Sequence, residues 1–354
     1  MKITYSKSFL KKVGEKLRTS KSLTSKDDEH CFNEFRSGHI DILTYYIDYC
    51  ASIIDSEFFK QDEIFLGARL KKRETIINKL QTRFQQMSLY RMHDIAGIRL
   101  IFPDVKSLKR FKEKLLSNEE TDKKYINTSG NKYDYITKSK ERTGYRGFHI
   151  VFQETEGDIK ANIEIQLRTE VQHAWATTVE MWDSEFKDNA KFGLAQEKTI
   201  EFFYLLSEFL ARFVEDINIR NIDLSHKDLF HKLSSFEKEL QILKKLKTIS
   251  VIESNKGART KSEPSILIKR NLDNNKKNIE IIRYRTKTLK DAISRYSKEE
   301  QENDGKSDIV LILSKNMKRT YNNYFNDLSL FLKFYDKAIE KFKELFPVYY
   351  FIHK

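Results

Sequence analysis

Four short β-like runs between two helical regions constrain the fold of this chain more than any other feature. Residues 96–167 contain GIRLIF, KYDYI, FHIVFQ and ANIEIQL, with the helical stretch VKSLKRFKEKLL after the first run. Residues 5–18 and 38–58 before them, and 170–248 after them, carry apolar residues at helical spacing. Because only 11 Gly and 3 Pro interrupt 354 residues, we expect long helices and few tight turns. The pattern predicts an α/β (α+β) core with a helical extension.

A change of composition near residue 248 predicts a domain boundary. Residues 254–277 are polar and contain Gly and Pro, which is typical of a loop or a mobile hairpin. The strand-like IEIIRYRT, the helical TLKDAISRYSKEEQ and the strand-like IVLILS follow, and predict a small β-α-β unit. A last helix is predicted from about 316 to 346. We therefore expect a domain over 1–248, a small β-rich regulatory module over 249–315 and a C-terminal helical segment over 316–354.

The charge balance indicates a polyanionic partner. The 65 Lys and Arg against 52 Asp and Glu give a net charge of +13, which suits nucleotide phosphates or RNA, although a solvated lysine-rich surface accounts for it equally. No apolar run approaches the roughly 18 residues of a membrane span, and the charged start lacks the apolar core of a secretory signal. Cys31 and Cys50 form no CxxC motif or Cys/His cluster. We expect a cytoplasmic protein without membrane contact, disulfide framework or structural zinc.

The segment from Asn162 to Arg168 alternates polar and apolar residues. Successive side chains of a strand point to opposite faces, so Glu164 and Gln166 share the polar face with both ends of the segment. An ordinary half-solvated strand has the same pattern. A carboxylate between an amide and a guanidinium would equally suit an active-site surface.

Three further segments carry groups suited to nucleotide chemistry. GARLKKRETIINK, residues 67–79, holds four cations in five positions, with a fifth a helical turn after Thr75, so several donors could converge on phosphates. HDIAGIR, residues 93–99, places a carboxylate before a strand whose glycine allows close approach of a ligand. GYRGFH, residues 144–149, brings an aromatic ring suited to stacking on a base. Taken singly, these segments also fit ordinary roles, such as a solvated charge run or a glycine-flanked turn.

Taken in order, RLKKRETIINKL, HDIAGIRLIF, DYITKSKERTGYRGFHIVF and IEIQLRTEVQHAWATTVE resemble the synthetase domain of the RelA/SpoT family of pyrophosphokinases, over about residues 65 to 190. The resemblance implies a nucleotidyltransferase-like mixed β-sheet flanked by helices, and transfer of pyrophosphate from ATP to a ribose 3′-hydroxyl with Mg²⁺. It places the catalytic and metal-binding carboxylates at Asp94 and Glu164, where Glu164 either ligates the metal or accepts the hydroxyl proton. It also implies ATP-phosphate contacts at Arg69, Lys71, Lys72, Thr75, Lys79, Arg99 and Arg168, and an acceptor pocket of Lys140, Tyr145, His149, Gln166 and His173.

The acceptor stays open at this point, because two branches of the family share these carboxylates. One makes the alarmones ppGpp and pppGpp from GDP and GTP, and the other pyrophosphorylates the 3′-CCA end of tRNA and stops translation. Ser139 replaces the family's usual Pro and an extra residue precedes Gly144, so the acceptor loop is expected to differ. The positive charge and the fused C-terminal module favour tRNA. Alarmone synthesis is the alternative, and a non-catalytic nucleotide-binding module is a second one.

The C-terminal region resembles that of fused toxin–antitoxin members of the CapRel type. This implies a self-inhibited phage-defence protein whose C-terminal region responds to a protein trigger. Tyr321 and Tyr324 match a Tyr-x-x-Tyr segment that can lie over the ATP site in such members. With Leu328 and Phe331 they also form an apolar stripe suited to core packing, and the two roles can coexist.

Overall fold

A computed structural model describes residues 4–20, 23–57, 64–82, 88–117, 124–126, 133–156, 159–217, 222–253, 265–271, 279–285, 288–302, 308–313 and 328–353. The strands found there are β1 Phe65–Leu70, β2 Ala96–Phe102, β3 Phe148–Glu156, β4 Ile159–Thr169, β5 Ser265–Asn271, β6 Ile279–Arg285 and β7 Asp308–Leu313. The helices are α1 Lys7–Ser20, α2 Lys26–Glu57, α3 Arg73–Thr82, α4 Val105–Leu116, α5 Glu170–Phe186, α6 Glu197–Phe213, α7 His226–Leu240, α8 Ile242–Glu253, α9 Leu289–Glu302, α10 Ser329–Leu345 and α11 Pro347–His353. None of these helices is long and apolar enough to cross a membrane.

The strands join one mixed sheet in the order β3-β4-β2-β1-β7-β5-β6. β2 and β4 run parallel, whereas the other neighbouring strands are antiparallel. A parallel pair needs a long crossover, which α4 and the following segment supply before β3 turns back into β4. The mixed sheet flanked by helices that the sequence predicts is therefore confirmed.

The two faces of the sheet have different surroundings. Ile98 of β2 and Ile165 of β4 are buried in the same core as Leu43 of α2 and Phe111 of α4. Residues next to them in each strand project to the opposite face, which carries the polar side chains of β1, β2 and β4. One alternating pattern thus defines both a buried core and a candidate site.

The helices that follow β4 form a second core. The ring of Phe230 in α7 stacks on that of Phe342 in α10 with centroids 4.2 Å apart, and Phe209 of α6 is buried beside them. The C-terminal helix α10 begins at Ser329, later than the predicted start near 316, and packs on α5 and α6. The segment just before it lies outside the described residues.

This second core absorbs part of the predicted apolar stripe. Leu328 and Phe331 are each 1% exposed, as expected for core packing. Tyr321 and Tyr324 lie outside the described residues, so their inhibitory role stays a prediction.

The assignment of KYDYI as a strand is wrong. Residues 133–137 form turns with a single bridge from Asp134 to Phe148. The Ile136 amide donates to Oδ1 of Asp134 at 3.0 Å, a local turn that competes with strand pairing.

The strands beyond residue 248 extend the central sheet. β7 pairs with β1 on one edge and with β5 on the other. β5, within the segment predicted as a loop or hairpin, pairs antiparallel with β6, which agrees with the hairpin alternative. The domain boundary near 248 stays a prediction about organisation, since the sheet itself is continuous across it.

Candidate active site

Strand register places the predicted carboxylate Glu164 in the middle of the polar face. Arg69 of β1 lies opposite Gly97 of β2, and Gly97 lies opposite Glu164 of β4. Only the Glu164 backbone oxygen, at 3.8 Å, comes within 4 Å of where a side chain on Gly97 would begin. The row therefore leaves space above Gly97, between a guanidinium and a carboxylate.

A second row runs beside the first. Arg99 of β2 lies opposite Gln166 of β4, and Gln166 lies opposite His149 of β3. Because these positions are two residues from those of the first row, they project from the same face. Four predicted residues from four strands thus share one surface with Glu164.

Asp94 lies just before β2, clamped by two lysines. Lys79 Nζ donates to both carboxylate oxygens at 2.7 Å, and Lys71 Nζ lies 2.8 Å from Oδ2. Burial opposes ionisation of Asp94, but the two ammonium groups outweigh it and hold its pKa below the ordinary value. Asp94 is therefore an ionised oxygen donor at neutral pH.

Glu164 is held by hydrogen bonds from its own sheet. His149 Nδ1 lies 3.0 Å from Oε1, and Gln166 Nε2 donates to Oε2 at 2.7 Å. Burial opposes its charge, but the His149 imidazolium and the Gln166 amide hold the pKa of Glu164 far below its usual range. Burial also disfavours the imidazolium, yet Tyr145 and Glu164 raise the pKa of His149 to about 9.

The two carboxylates are electrostatically coupled. The charge of Glu164 works to raise the pKa of Asp94, and Lys71 lowers the pKa of both groups. Residues separated by 70 positions are thus brought together by neighbouring parallel strands. No cluster of three or more Asp, Glu, His or Cys side chains in the described parts of the chain could hold a metal ion. Two ionised carboxylates still suit Mg²⁺, which takes its other ligands from phosphates and water.

Tyr145 lies on the loop before β3, where the sequence predicts an acceptor pocket. Its hydroxyl lies 2.6 Å from His149 Nε2 and accepts a hydrogen bond from Arg168 Nε at 3.1 Å. The Arg168 guanidinium sits 4.9 Å from the Tyr145 ring centroid. Burial raises the pKa of Tyr145, but Arg168 and His149 outweigh it and lower that pKa to about 8. A hydrogen-bonded chain therefore runs from the aromatic ring to the Glu164 carboxylate.

The Tyr145 loop is fastened to α6. Ser207 donates to the Gly144 carbonyl oxygen at 2.6 Å, and buried Arg146 donates to Ser207 and to Glu208. Gly147 has a φ of +149°, and a Cβ there would lie 2.9 Å from the Tyr145 hydroxyl oxygen. Only glycine fits this position without strain.

The structure places the other predicted residues with varied exposure. Lys72 immediately precedes α3, and exposed Thr75 lies in its first turn. Exposed Lys140 lies on the Tyr145 loop, where its backbone amide donates to the Tyr145 carbonyl oxygen at 2.8 Å. His173 is fully buried in α5. Their predicted roles in phosphate and acceptor binding stay predictions.

One cation of the basic run belongs to the fold. Arg73 pairs with both carboxylate oxygens of Glu29, at 2.5 and 2.7 Å, and lies over the ring of Phe32. It therefore anchors α3 to α2.

Sequence reasoning missed Glu180 of α5. Its carboxylate lies 2.7 Å from Lys191 Nζ. Burial opposes its charge, but Lys191, Arg99 and Arg168 hold the pKa of Glu180 well below its usual value. The acidic group thus faces two predicted phosphate-binding arginines. A glutamate inside an otherwise buried helix was the available sequence signal.

A cavity of about 310 Å³ is lined by His93, the residue before Asp94, and by Asn162, two residues before Glu164 in β4. Within it, Lys7 and Arg91 approach the Tyr90 ring, with Nζ and Cζ 5.1 and 5.8 Å from the centroid. The lining contains no carboxylate, which suits an anionic group. Its residues are Lys7, Tyr90, Arg91, His93, Gln153, Lys160 and Asn162.

Comparisons with known proteins give one family model and several solved structures that are similar to this part of the chain. A family model described as "Region found in RelA / SpoT proteins" matches residues 68–190, which contain every predicted catalytic, phosphate-binding and acceptor-binding residue. The chain is similar to the crystal structure of small alarmone synthetase 1 from Bacillus subtilis bound to its product pppGpp, with 23% identity, 52% of this chain and 92% of that chain covered, and a TM-score of 0.41. It is also similar to a GTP pyrophosphokinase family protein from Streptococcus pneumoniae, with 22% identity, 53% and 91% covered, and a TM-score of 0.39. A comparison with curated proteins gives no match.

Proposed function

We propose that this protein is an ATP-dependent pyrophosphokinase, on the support of the match between residues 68–190 and the RelA/SpoT family model. In the proposed reaction the bond between the α- and β-phosphates of ATP breaks, AMP leaves, and the β-phosphorus bonds to a ribose 3′-oxygen. The observation that carries the proposal is the coupled pair of ionised carboxylates, Asp94 and Glu164, beside Lys71 and Lys79.

The lysines around Asp94 support a donor-nucleotide site. On ATP binding, Lys71 and Lys79 would turn from Asp94 to phosphate oxygens, joined by Arg69 of the same strand end. Asp94 would then be free to ligate Mg²⁺ together with Glu164. Mg²⁺ held by these two carboxylates would supply positive charge beside the phosphates.

The ionisation of Glu164 favours metal binding over proton abstraction. A carboxylate with a strongly lowered pKa is a weak base, and His149 with a pKa of about 9 is already protonated at neutral pH. Transfer through a loose transition state depends more on positioning and charge than on a strong base. We therefore assign Glu164 to the metal, with the hydroxyl proton passing to solvent.

The Tyr145 side of the surface supports an acceptor site. Its ring offers a stacking surface, and the chain through His149 fixes that ring relative to Glu164. Gln166 and Arg168 extend the same strand face, with Arg168 placed to neutralise phosphate charge. Lys140 and His173 complete the proposed pocket.

We propose the 3′-CCA end of tRNA as the acceptor. A net charge of +13 and the cavity lined by Lys7, Arg91 and Lys160 support an acceptor with a phosphate backbone. In this proposal the protein is a cytoplasmic, translation-blocking toxin of phage defence. GDP or GTP, giving alarmones, is the competing acceptor.

Incubation with β-labelled ATP and Mg²⁺ tests the proposal. Deacylated tRNA, GDP and GTP are offered separately, with a tRNA lacking its terminal adenosine as the matched control. Label in intact tRNA alone supports the toxin, and label in GDP or GTP assigns alarmone synthesis. If no acceptor gains label, either with the wild type or with the Tyr321→Ala and Tyr324→Ala double variant described below, the result would favour a nucleotide-binding module.

The proposed self-inhibition is best tested with point substitutions and not with a truncation. α10 packs on α5 and α6, so removing residues after about 316 would uncover the second core. Tyr321→Ala combined with Tyr324→Ala leaves that helix in place and should raise transfer if these tyrosines cover the ATP site. Tyr350→Ala in α11 is the control, and equal activity in all three proteins would contradict self-inhibition.

A further inference from the structure

A buried polar network joins helix α9 to the end of β1, which is directly followed by Lys71 of the candidate site. The Leu70 amide donates to the Tyr296 hydroxyl oxygen at 2.8 Å, and that hydroxyl donates to Oε1 of Glu300 at 3.0 Å. Oε2 of Glu300 lies 2.9 Å from Nη1 of Arg36 in α2. Arg36 Nε in turn donates to the Lys71 carbonyl oxygen at 2.8 Å. The two ends of the network therefore hold backbone groups of two adjacent residues, Leu70 and Lys71.

The network supplies a hydrogen-bond partner for β1 beyond the point where its pairing with β7 ends. β7 pairs with β1 only from Leu66 to Ala68, so it does not reach Leu70. On the other edge the Lys71 amide donates to the Ile95 carbonyl oxygen at 2.8 Å. The Tyr296 hydroxyl thus occupies the place of a missing strand partner for Leu70. Without it a buried N–H would bear its full desolvation cost.

The ionic part of the network is also shielded from water. Tyr296, Glu300 and Arg36 are 1%, 2% and 3% exposed. In such surroundings each charge depends on its partner, because an unpaired buried guanidinium or carboxylate is strongly unfavourable. The network therefore has one well-defined arrangement, which fixes the backbone of Lys71 on two sides.

Lys71 links this backbone to the chemistry of the site. Its ammonium group holds Asp94 at 2.8 Å and lowers the pKa of Glu164. A shift of the strand end would move the ammonium group relative to both carboxylates. α9 lies more than 200 residues after β1 in the chain. Through this network it helps to hold Lys71 beside the two carboxylates.

We propose that Tyr296 and Glu300 are positioning residues for Lys71, which couple the C-terminal part of the sheet to ATP binding. This inference rests on the proposed role of Lys71 in holding ATP phosphates. It predicts that damage to the network weakens the donor site and spares the acceptor site.

Tyr296→Phe tests the inference because it removes only the hydroxyl. Hydrogen exchange at the Leu70 amide should become about tenfold faster or more. ATP affinity measured calorimetrically with Mg²⁺, without acceptor, should fall about fivefold, as for one lost buried hydrogen bond. Affinity for deacylated tRNA and for GDP should not change. Tyr46→Phe is the matched control, since that buried hydroxyl also donates to a glutamate, Glu154, away from β1.

Glu300→Gln provides a second test. The amide keeps an oxygen for Tyr296 but leaves Arg36 without its counter-charge, so ATP affinity should fall further than in Tyr296→Phe. Adding Arg36→Gln removes that unpaired charge and should restore part of the affinity. Glu302→Gln, at an exposed position of the same helix, should match the wild type.

Three results would overturn the inference. These are unchanged Leu70 exchange in Tyr296→Phe, an equal loss of ATP affinity in Tyr46→Phe, or an equal loss of acceptor affinity. Failure of the proposed function gives a different result. In that case the wild-type protein binds no ATP, but Tyr296→Phe still makes exchange at the Leu70 amide faster than in the wild type. That outcome would leave the network structural and reject its coupling to ATP.

Discussion

The two carboxylates of the candidate site lie in and just before two neighbouring strands, β4 and β2, yet the chain holds them by different means. Asp94 precedes its strand and is clamped by Lys71 and Lys79, whose long side chains can turn to another anion. Glu164 lies inside its strand and is held by His149 and Gln166 from the same sheet. Asp94 therefore has a clamp that a ligand's charge can displace, whereas Glu164 has a rigid hydrogen-bonded frame. This difference underlies the proposal that the donor nucleotide binds beside Asp94 and the acceptor beside Glu164.

Neutralising each carboxylate is the strongest way to break this comparison. We expect Asp94→Asn and Glu164→Gln each to lower transfer by about 10²- to 10⁴-fold with the fold intact. Asp94→Asn should also remove the Mg²⁺ dependence of ATP binding, because its lysines are then free without a metal. Glu164→Gln should keep ATP binding.

Single-turnover assays and calorimetry measure these effects. Asp104→Asn, at the N-terminus of α4, is a control that keeps the helix cap. Full turnover in either site variant would show that the carboxylates have been misassigned.

Truncating the aromatic ring sharpens the acceptor half of the comparison. Base stacking is worth about 1–3 kcal/mol, so Tyr145→Ala should raise the KM of the acceptor roughly 5- to 150-fold. Tyr145→Phe keeps the ring and should lose much less. Steady-state kinetics with ATP and acceptor varied separately give both constants, and an equal loss for ATP would argue against stacking.

Substitutions at two glycines test the stability of the fold and the access of ligand to the site separately. Gly147→Ala forces a side chain into a left-handed conformation against Tyr145 and should cost roughly 1–3 kcal/mol of stability. Gly97→Ala meets only ordinary contact and should leave stability equal or slightly higher, while its methyl group fills space in the Arg69–Glu164 row and weakens ATP binding. Thermal unfolding and ATP calorimetry on both variants check this, and the opposite ranking would contradict the described register.

The smallest expected effect is a pH dependence in the Glu164 frame. The pKa of His149 is raised to about 9, so the stability from its charged form is complete below the ordinary value of about 6.5 and is lost as pH rises through 9. Tyr145→Phe serves as the background, since it removes the titration of the neighbouring hydroxyl. In that background only Glu164 raises the pKa of His149, so the unfolding temperatures with and without His149→Gln should converge as pH rises from 6 and should meet below pH 9. A difference that grows with pH would argue against an imidazolium beside Glu164.

Local sequence patterns were sufficient wherever local geometry decides the outcome. The alternation from Asn162 to Arg168 predicted which side chains share the polar face, and β4 has that arrangement. The pattern failed at KYDYI, where Asp134 turns the backbone through its own side chain. It also gave no sign that Arg73 would pair with Glu29, because that pairing depends on how α3 packs on α2.

By itself, the sequence determined the α/β class and the core-facing positions of the strands, because strand and helix periodicity are local properties. Only the tertiary structure decided that β7 continues the sheet beside β1, that Glu180 faces Arg99 and Arg168, and that Tyr296 completes the end of β1. These contacts join residues far apart in the chain. Each depends on register and burial, which no single segment encodes.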